Sequence, residues 1–363
     1  MKNLDITIKC KIEIVWFQFG KGRVKKVKPL RDKISILIIR YNKHMISRDT
    51  VQQNLVNCLI GSDFALLGVK RVGKVRDCYT KQNKRIIVVT DRVSAFDHTF
   101  KEAIPFKGQV LNQISAYFME AAGTIVPTHI ISLPDPNITV AKECVPYPVE
   151  IIVRGYLTGH AWRVYKEGKR KLCGVVLPDG MKMNQKFEKP IITPTTKPDE
   201  GHDEDISRQE IIERGLVPKL VYEKIEEKAL ELFKQGSEMA AKRGLILVDT
   251  KYEFGDYNGE LTLIDEVHTP DSSRFFYADS YKENFEKEYK QKQLSKEFLR
   301  EWLMDKNFQG EEFQSVPALD DEIRIDVAMR YIELYEIITG REFVAEIGKP
   351  IEKRIEENIQ QYY

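Results

Sequence analysis

The sequence lacks the common signatures of nucleotide and metal chemistry. It has no Gly-x4-Gly-Lys-Ser/Thr segment, no Gly-x-Gly-x-x-Gly after a strand-like run and no His-Glu-x-x-His. Those absences exclude ATP use by the P-loop route, the dinucleotide fingerprint and zincin chemistry. Long apolar runs are missing too: Ile34 to Ile39 is the best, far short of the ~18–20 residues of a membrane span. The five cysteines, at 10, 58, 78, 144 and 173, include no Cys-x-x-Cys pair. An odd, scattered set excludes a disulfide framework or a zinc site and suits a reducing, cytoplasmic compartment. No internal repeat or low-complexity linker interrupts the chain.

What is present is ordinary globular material. The 363 residues are 42% hydrophobic and 31% charged, enough for two or three domains and a sizeable core. The net charge of +2 hides an asymmetry. Residues 1–44 hold twelve Lys and Arg against three Asp and Glu, a balance of +9, which leaves −7 for residues 45–363. In the basic part, Ile6, Ile8, Cys10, Ile12 and Ile14 alternate with polar residues, a strand pattern. The charges rule out a signal peptide, and the period of two argues against a transit peptide. A basic arm of this kind could neutralise nucleic-acid phosphates, but it carries no motif and few aromatics placed for stacking. The favoured expectation is an extension without a catalytic role; its stronger form has synthesis begin at Met45.

From Ser47 onward, strands and helices interleave without a βαβ rhythm, so the expected class is α+β. Ser47 caps a short amphipathic helix, and Gly108 to Ala121 reads as a helix with Leu111, Ile114, Tyr117 and Phe118 inward. Prolines 146 and 148 mark a break, taken as a hinge between a lobe at 45–147 and a lobe at 148–363 with a helical C-terminal part. Val149 to Leu157 is a strand with Glu150, Ile152 and Arg154 on one face. Ser207 with Glu210 forms a capping box, and a long helix spans about Val221 to Arg243.

The chemistry concentrates in Leu245-Ile-Leu-Val-Asp-Thr-Lys-Tyr-Glu253. Alternation places Leu245, Leu247, Asp249, Lys251 and Glu253 on one strand face. Asn258-Gly259 then signals a hairpin. A two-residue turn would pair Glu253 with Ile264 and send Asp265 to the other face. A three-residue loop would pair Lys251 with Asp265 and is the preferred expectation. Carboxylates sharing a semi-buried face need a cation or a metal between them, and oxygen ligands suit Mg²⁺ beside nucleotide phosphates. A solvated hairpin face with a Lys–Asp ion pair explains the same residue types equally well. Gly73-Lys74-Val75-Arg76, between β-like segments, can fold over phosphates. The acidic run Asp199 to Asp205 reads either as a loop that closes over substrate or as an ordinary exposed loop.

Seven stretches, in order, resemble the phosphoribosylaminoimidazole-succinocarboxamide synthase (SAICAR synthetase) family. They are Gly73-Lys-Val-Arg-Asp77, Thr90-Asp-Arg-Val-Ser-Ala-Phe-Asp97, Phe106-Lys-Gly-Gln-Val110, Pro148-Val-Glu-Ile-Ile-Val-Arg-Gly-Tyr156, Pro190-Ile-Ile-Thr-Pro-Thr-Thr-Lys197, Asp249-Thr-Lys-Tyr-Glu-Phe-Gly255 and Asp265-Glu-Val-His-Thr-Pro-Asp-Ser-Ser-Arg274. The resemblance implies a two-lobed α+β fold with the site in the cleft. It also implies ligation of L-aspartate to carboxyaminoimidazole ribotide with ATP and Mg²⁺. Carried over position by position, it implies Gly73, Lys74, Arg76 and Lys142 at the nucleotide, and Glu150, Glu253 and Asp265 around magnesium. Lys251, Asp249 and Lys107 fall at catalytic positions; Arg154, His160, Ser273, Arg274 and Asp97 fall at the substrate. His160 stands where many members have serine, in Thr158-Gly159-His160. The rivals are a small-molecule kinase, which Asp249-x-Lys251 would also suit, and a nucleic-acid-binding protein using the basic arm.

Overall fold

A computed structural model describes residues 46–363 apart from 97, 198–202 and 312. The readings of residues 1–44, of Met45 as a start and of Asp97 as a site residue lie outside the described residues. Residues His44–Tyr363 form one compact unit. Its first layer is an antiparallel sheet of β1 (Val69–Val72), β2 (Arg76–Lys81), β3 (Lys84–Val89), β4 (Ile130–Asp135) and β5 (Ile138–Lys142), in the order β1-β2-β3-β5-β4. The short helix α1 (Arg48–Gln53) precedes it, capped as expected by Ser47, whose side chain accepts from the Thr50 N–H. Helix α2 (Lys107–Ala122) lies between β3 and β4 in sequence and buries Leu111, Ile114 and Phe118.

The second layer is built on β6 (Val149–Tyr156) and β7 (Lys186–Ile192) with the central β8 (Leu245–Tyr257), β9 (Glu260–Ile264) and β10 (Ser273–Tyr277). Strand β8 is the axis: it pairs with β6 on one side and β10 on the other, and turns back into β9. Between β6 and β8 the chain forms α3 (Gly159–Lys166), α4 (Arg208–Glu213) and α5 (Lys219–Ala241). The Ser207–Glu210 capping box forms. Helix α5 buries Leu232, Phe233 and Ala240 in the same core as Leu245 and Leu247. The remaining helices are α6 (Ala278–Glu286), α7 (Glu297–Asp305), α8 (Asp321–Thr339) and α9 (Ile351–Ile359). Among the described residues no helix is long and apolar enough to cross a membrane.

Three local expectations are corrected. The hairpin turn between β8 and β9 has two residues, with Glu253 opposite Ile264 and Tyr257 opposite Glu260. Asn258 and Gly259 both take positive φ, 56° and 85°, the requirement of a tight turn whose twist matches the strands. The alternation along β8 also breaks. Its pairing with β10 is irregular between Leu247 and Asp249, so one extra residue reverses the faces. Leu245 and Leu247 join the core with Tyr252 and Phe254, whereas Asp249 and Lys251 line a cleft on the opposite face. Finally, α9 returns to the first sheet rather than extending the second lobe. Ile351, Ile355 and Ile359 pack with Leu59, Leu67, Tyr79, Ile86, Val88, Ile138 and Val140.

Candidate active site

A cleft of about 450 Å³ opens along β6 and β8, and its lining includes Glu150, Arg154, His160, Asp249, Lys251, Ser273 and Arg274. Glu150 and Arg154 come from one face of β6, and register sets Asp249 opposite Arg154 and Arg274.

Lys251 occupies the middle of the carboxylates. Its Nζ lies 2.6 Å from Glu150 Oε1, 2.6 Å from Glu253 Oε1 and 4.0 Å from Asp265 Oδ2. Asp265 reaches this group despite the two-residue turn because it sits one residue past β9 with φ 66°. That left-handed residue redirects the side chain, doing what the preferred register was expected to do. Lys197 pairs with Glu253, and Arg76 pairs with Asp265 and lies 2.8 Å from Glu266. Among the described residues no three or more His, Cys, Asp or Glu side chains form a ready metal set. The expected trio Glu150, Glu253 and Asp265 is instead bridged by cations.

The protonation states follow from burial and these neighbours. Burial, aided by Glu253, pushes Glu150 up to about 7 although Lys251 pulls the other way. Burial also acts to raise Asp265, but Arg76, Lys251 and Lys197 outweigh it and hold the carboxyl well below its ordinary range. Lys251 is raised: burial opposes its charge, and Glu253, Glu150 and Asp265 overcome that.

A second group surrounds Asp249. Its Oδ2 accepts from Arg274 Nη1 at 2.5 Å and Arg154 Nη1 at 3.3 Å. Arg274 Nη2 donates to Glu297 at 3.0 Å, and Arg154 Nε donates to Thr193 Oγ1 at 2.8 Å. Gly159 has φ +55°, and a Cβ there would fall 2.5 Å from the Arg274 guanidinium. The chain therefore needs glycine at that position to let the arginine lie flat against the start of α3. Ser273 turns inward to share a 2.7 Å hydrogen bond with Thr250.

Lys107 is fully buried and does not line the cleft. Its Nζ stands 3.0 Å from Asp271, which also accepts from Tyr331 at 2.6 Å and does line the cleft. Lys107, expected at a catalytic position, thus stands behind Asp271 rather than in the cleft wall.

The nucleotide set divides. Gly73 closes the β1–β2 turn, its N–H donating to Arg76 O at 2.8 Å. Arg92 ties the turn down, donating to Gly73 O, Lys74 O and Asp77 at 2.8–3.1 Å. Arg76 joins the carboxylate cluster, whereas Lys142 lies over the Tyr257 ring at 5.1 Å. Tyr257 is six residues along β8 from Lys251, about 20 Å at the rise of a strand. Lys142 is thus at the far end of the hairpin, and none of Gly73, Lys74, Arg76 and Lys142 lines the 450 Å³ cleft.

The SAICAR synthetase family model matches residues 70–316. The chain belongs to the SAICAR synthetase family. It is 54% identical over 311 residues to the phosphoribosylaminoimidazole-succinocarboxamide synthase of Bacteroides thetaiotaomicron, covering 85% of this chain and 99% of that protein. A SAICAR synthase from Saccharomyces cerevisiae complexed with SAICAR has a similar structure, with a TM-score of 0.67 and 31% identity, covering 78% of this chain and 99% of that one. A SAICAR synthetase in complex with ADP gives 0.59 and 27%, covering 76% of this chain and all of that one.

This SAICAR synthetase-family cleft also contains residues that sequence reasoning passed over. Asp271 and Ser272 lay within a quoted stretch without a role; Lys197 and Arg92, which pair with Glu253 and the β1–β2 turn outside the cleft lining, were passed over in the same way. Lys296, Glu297 and Arg300 also line the cleft; on sequence they read as an ordinary polar face of a C-terminal helix, with no signal to separate them. Glu297 falls to about 2, because Arg274 and Arg300 outweigh its burial.

These shifts give a pH prediction. Burial holds His129 near 4 and His268 near 3, below the ordinary 6.5. A histidine buried neutral contributes stability that is complete above its unfolded pKa and is lost as pH falls through 6.5 toward the folded value. Glu297 behaves likewise below 4.5. Glu150, raised to about 7, and Asp91, raised to about 6 by burial, oppose them, since a raised carboxyl favours the fold as pH falls, and the two carboxyls offset the two histidines down to about pH 5. Thermal melts should show a melting temperature that changes little from pH 7 to about 5 and falls below about 4.5, where Glu297, Asp265 and Asp271, all held low by neighbouring cations, take up protons in the unfolded chain; a steady decline from 6.5 would contradict the raised carboxyls.

Proposed function

We propose that the cleft joins the amine of L-aspartate to the carboxylate of carboxyaminoimidazole ribotide, with ATP converted to ADP and phosphate, in cytoplasmic purine biosynthesis. The carrying observation is that Lys251, among three carboxylates, and the Asp249–Arg154–Arg274 group stand two residues apart on one face of β8, in one cleft. A carboxylate resists amine attack because oxide is a poor leaving group. Transfer of the γ-phosphoryl group to a carboxylate oxygen gives an acyl phosphate. The amine then attacks the acyl carbon: the C–N bond forms, the C–O bond to phosphate breaks, and phosphate departs with the electron pair.

In this reading the arginines Arg154 and Arg274, fixed by Asp249, hold the ribotide phosphate through planar forks. Ser273 and Asp271 shape the same wall. Lys251 is placed to offset negative charge that develops on the transferred group, and Gly73, Lys74 and Arg76 cover the nucleotide phosphates. Glu150, Glu253 and Asp265 offer oxygen ligands only, the donor type Mg²⁺ takes, and one or two of them suffice beside phosphates and water. Mg²⁺, when bound with ATP, would supply charge neutralisation there. Lys142, at the distant end of β8, is assigned to the nucleotide by resemblance alone.

The test is ADP release with each substrate omitted in turn. ADP should appear only with ATP, ribotide and L-aspartate together. Release that proceeds at full rate without L-aspartate would favour a small-molecule kinase instead.

A further inference from the structure

Packing alone would leave the β1–β2 turn, residues 73–76, loosely held. Strand β1 lies at the edge of its sheet beside β2, and all four of its residues are exposed. Gly73 and Lys74 are exposed as well. With no buried side chain in β1, the turn depends on hydrogen bonds for its position.

Those bonds come from residues 90–92, which follow β3. Arg92 Nη2 donates to Gly73 O at 2.9 Å, and Arg92 Nε donates to Lys74 O at 3.1 Å. Thr90 donates to Val75 O from its N–H at 3.2 Å and from its Oγ1 at 2.8 Å. Three consecutive carbonyls are therefore held by one short segment. A trans peptide is planar, with its C=O and N–H pointing opposite ways. The N–H groups of Lys74, Val75 and Arg76 are thus turned away from that segment.

The segment itself has a rigid base. Asp91, between Thr90 and Arg92, is buried and accepts from the Leu59 N–H at 2.7 Å and the Gly108 N–H at 2.8 Å. Arg92 also donates to Ile60 O and to Asp77 Oδ1, both at 2.8 Å. Asp77 is buried and accepts from the N–H and the Oγ of Ser62, both at 2.9 Å. A guanidinium carries several donors in a fixed plane, so one side chain reaches all four acceptors.

We propose that Arg92 is a positioning residue for the nucleotide: by fixing the Gly73 and Lys74 carbonyls it sets the β1–β2 turn before ATP arrives and so raises ATP affinity. This rests on the reading that the turn covers the nucleotide phosphates. A segment ordered in advance loses less conformational freedom on binding. Without the arginine, ATP itself would have to order the turn. Arg92 does not line the ribotide cleft, so the loss should fall on ATP.

The experiment compares wild type, Arg92→Gln and Arg92→Lys by ADP calorimetry and by kcat and the KM of each substrate. Arg92→Gln should raise the ADP Kd and the ATP KM about tenfold. The ribotide and L-aspartate KM values should stay within about twofold, and kcat at saturating ATP should change little. Asp77 keeps Ser62 and the Lys70 ammonium at 3.3 Å, so no buried charge is stranded; melting temperature checks that the variant folds. Arg92→Lys keeps the charge but not the planar fork, and should resemble Arg92→Gln. Unchanged ATP affinity in Arg92→Gln, full affinity in Arg92→Lys, or equal losses for all three substrates would overturn the proposal. Trypsin cleavage after Lys74 tests the underlying reading separately: bound ADP should block it in wild type. Cleavage that ADP does not slow would remove the turn from the nucleotide site, and the proposal with it.

Discussion

Asp265→Asn should lower kcat by about 10²–10³-fold while leaving the fold intact. Asp265 is the carboxylate on which Arg76, Lys251 and the first-sheet turn converge. Asparagine has the same shape and tolerates the left-handed backbone that this position requires. Arg76 keeps Glu266 as a partner, so no buried cation is stranded. The loss should therefore fall on turnover rather than stability. Steady-state rates at saturating Mg²⁺, with melting temperature as the control, check it. A near-normal kcat would remove Asp265 from the chemistry. Asp265→Ala separates the two contributions: it should lose activity and, in addition, about 1–3 kcal/mol of stability, since alanine is strained at positive φ.

The largest stability effect is expected far from the cleft, at Arg354. Its guanidinium donates to Asp135 at 2.9 and 3.1 Å and to Asn137 at 2.5 Å, and Asn358 adds a 2.8 Å bond to the same carboxylate. Asp135 has no exposed side-chain surface. Arg354→Leu leaves that carboxylate buried without its cation and should cost about 3–5 kcal/mol. The effect should extend through the first sheet, because Asn137 also bonds Val89 at the end of β3. Denaturant titration would measure it. Asp135→Leu combined with Arg354→Leu should recover much of the loss, since the uncompensated charge is gone. A double variant no better than the single one would mean that α9 is held by its isoleucines alone.

How much of this was legible beforehand varies with the range of the interaction. The caps at Ser47 and Ser207, the helix over 107–122 and the strand over 149–156 are local patterns, set by side-chain spacing and hydrogen bonds within a few residues. The family stretches likewise singled out Glu150, Arg154, Asp249, Lys251 and Arg274 as site residues, and the structure brings these into one cleft.

The sequence by itself determined the elements, the polar residues worth watching and, through the ordered stretches, the family. Tertiary structure decided which groups meet. The irregularity between Leu247 and Asp249 separates leucines from acids that simple alternation had placed together, because a single extra residue reverses every face beyond it. A positive φ at Asp265 rescues a contact that the two-residue turn would have lost. Lys251 against Glu150 and Asp265, Lys107 behind Asp271 and Asp205 against His160 join residues 14 to 164 positions apart. No periodicity along the chain encodes such pairs, since they form only where packing of the apolar faces has already fixed the distances between strands.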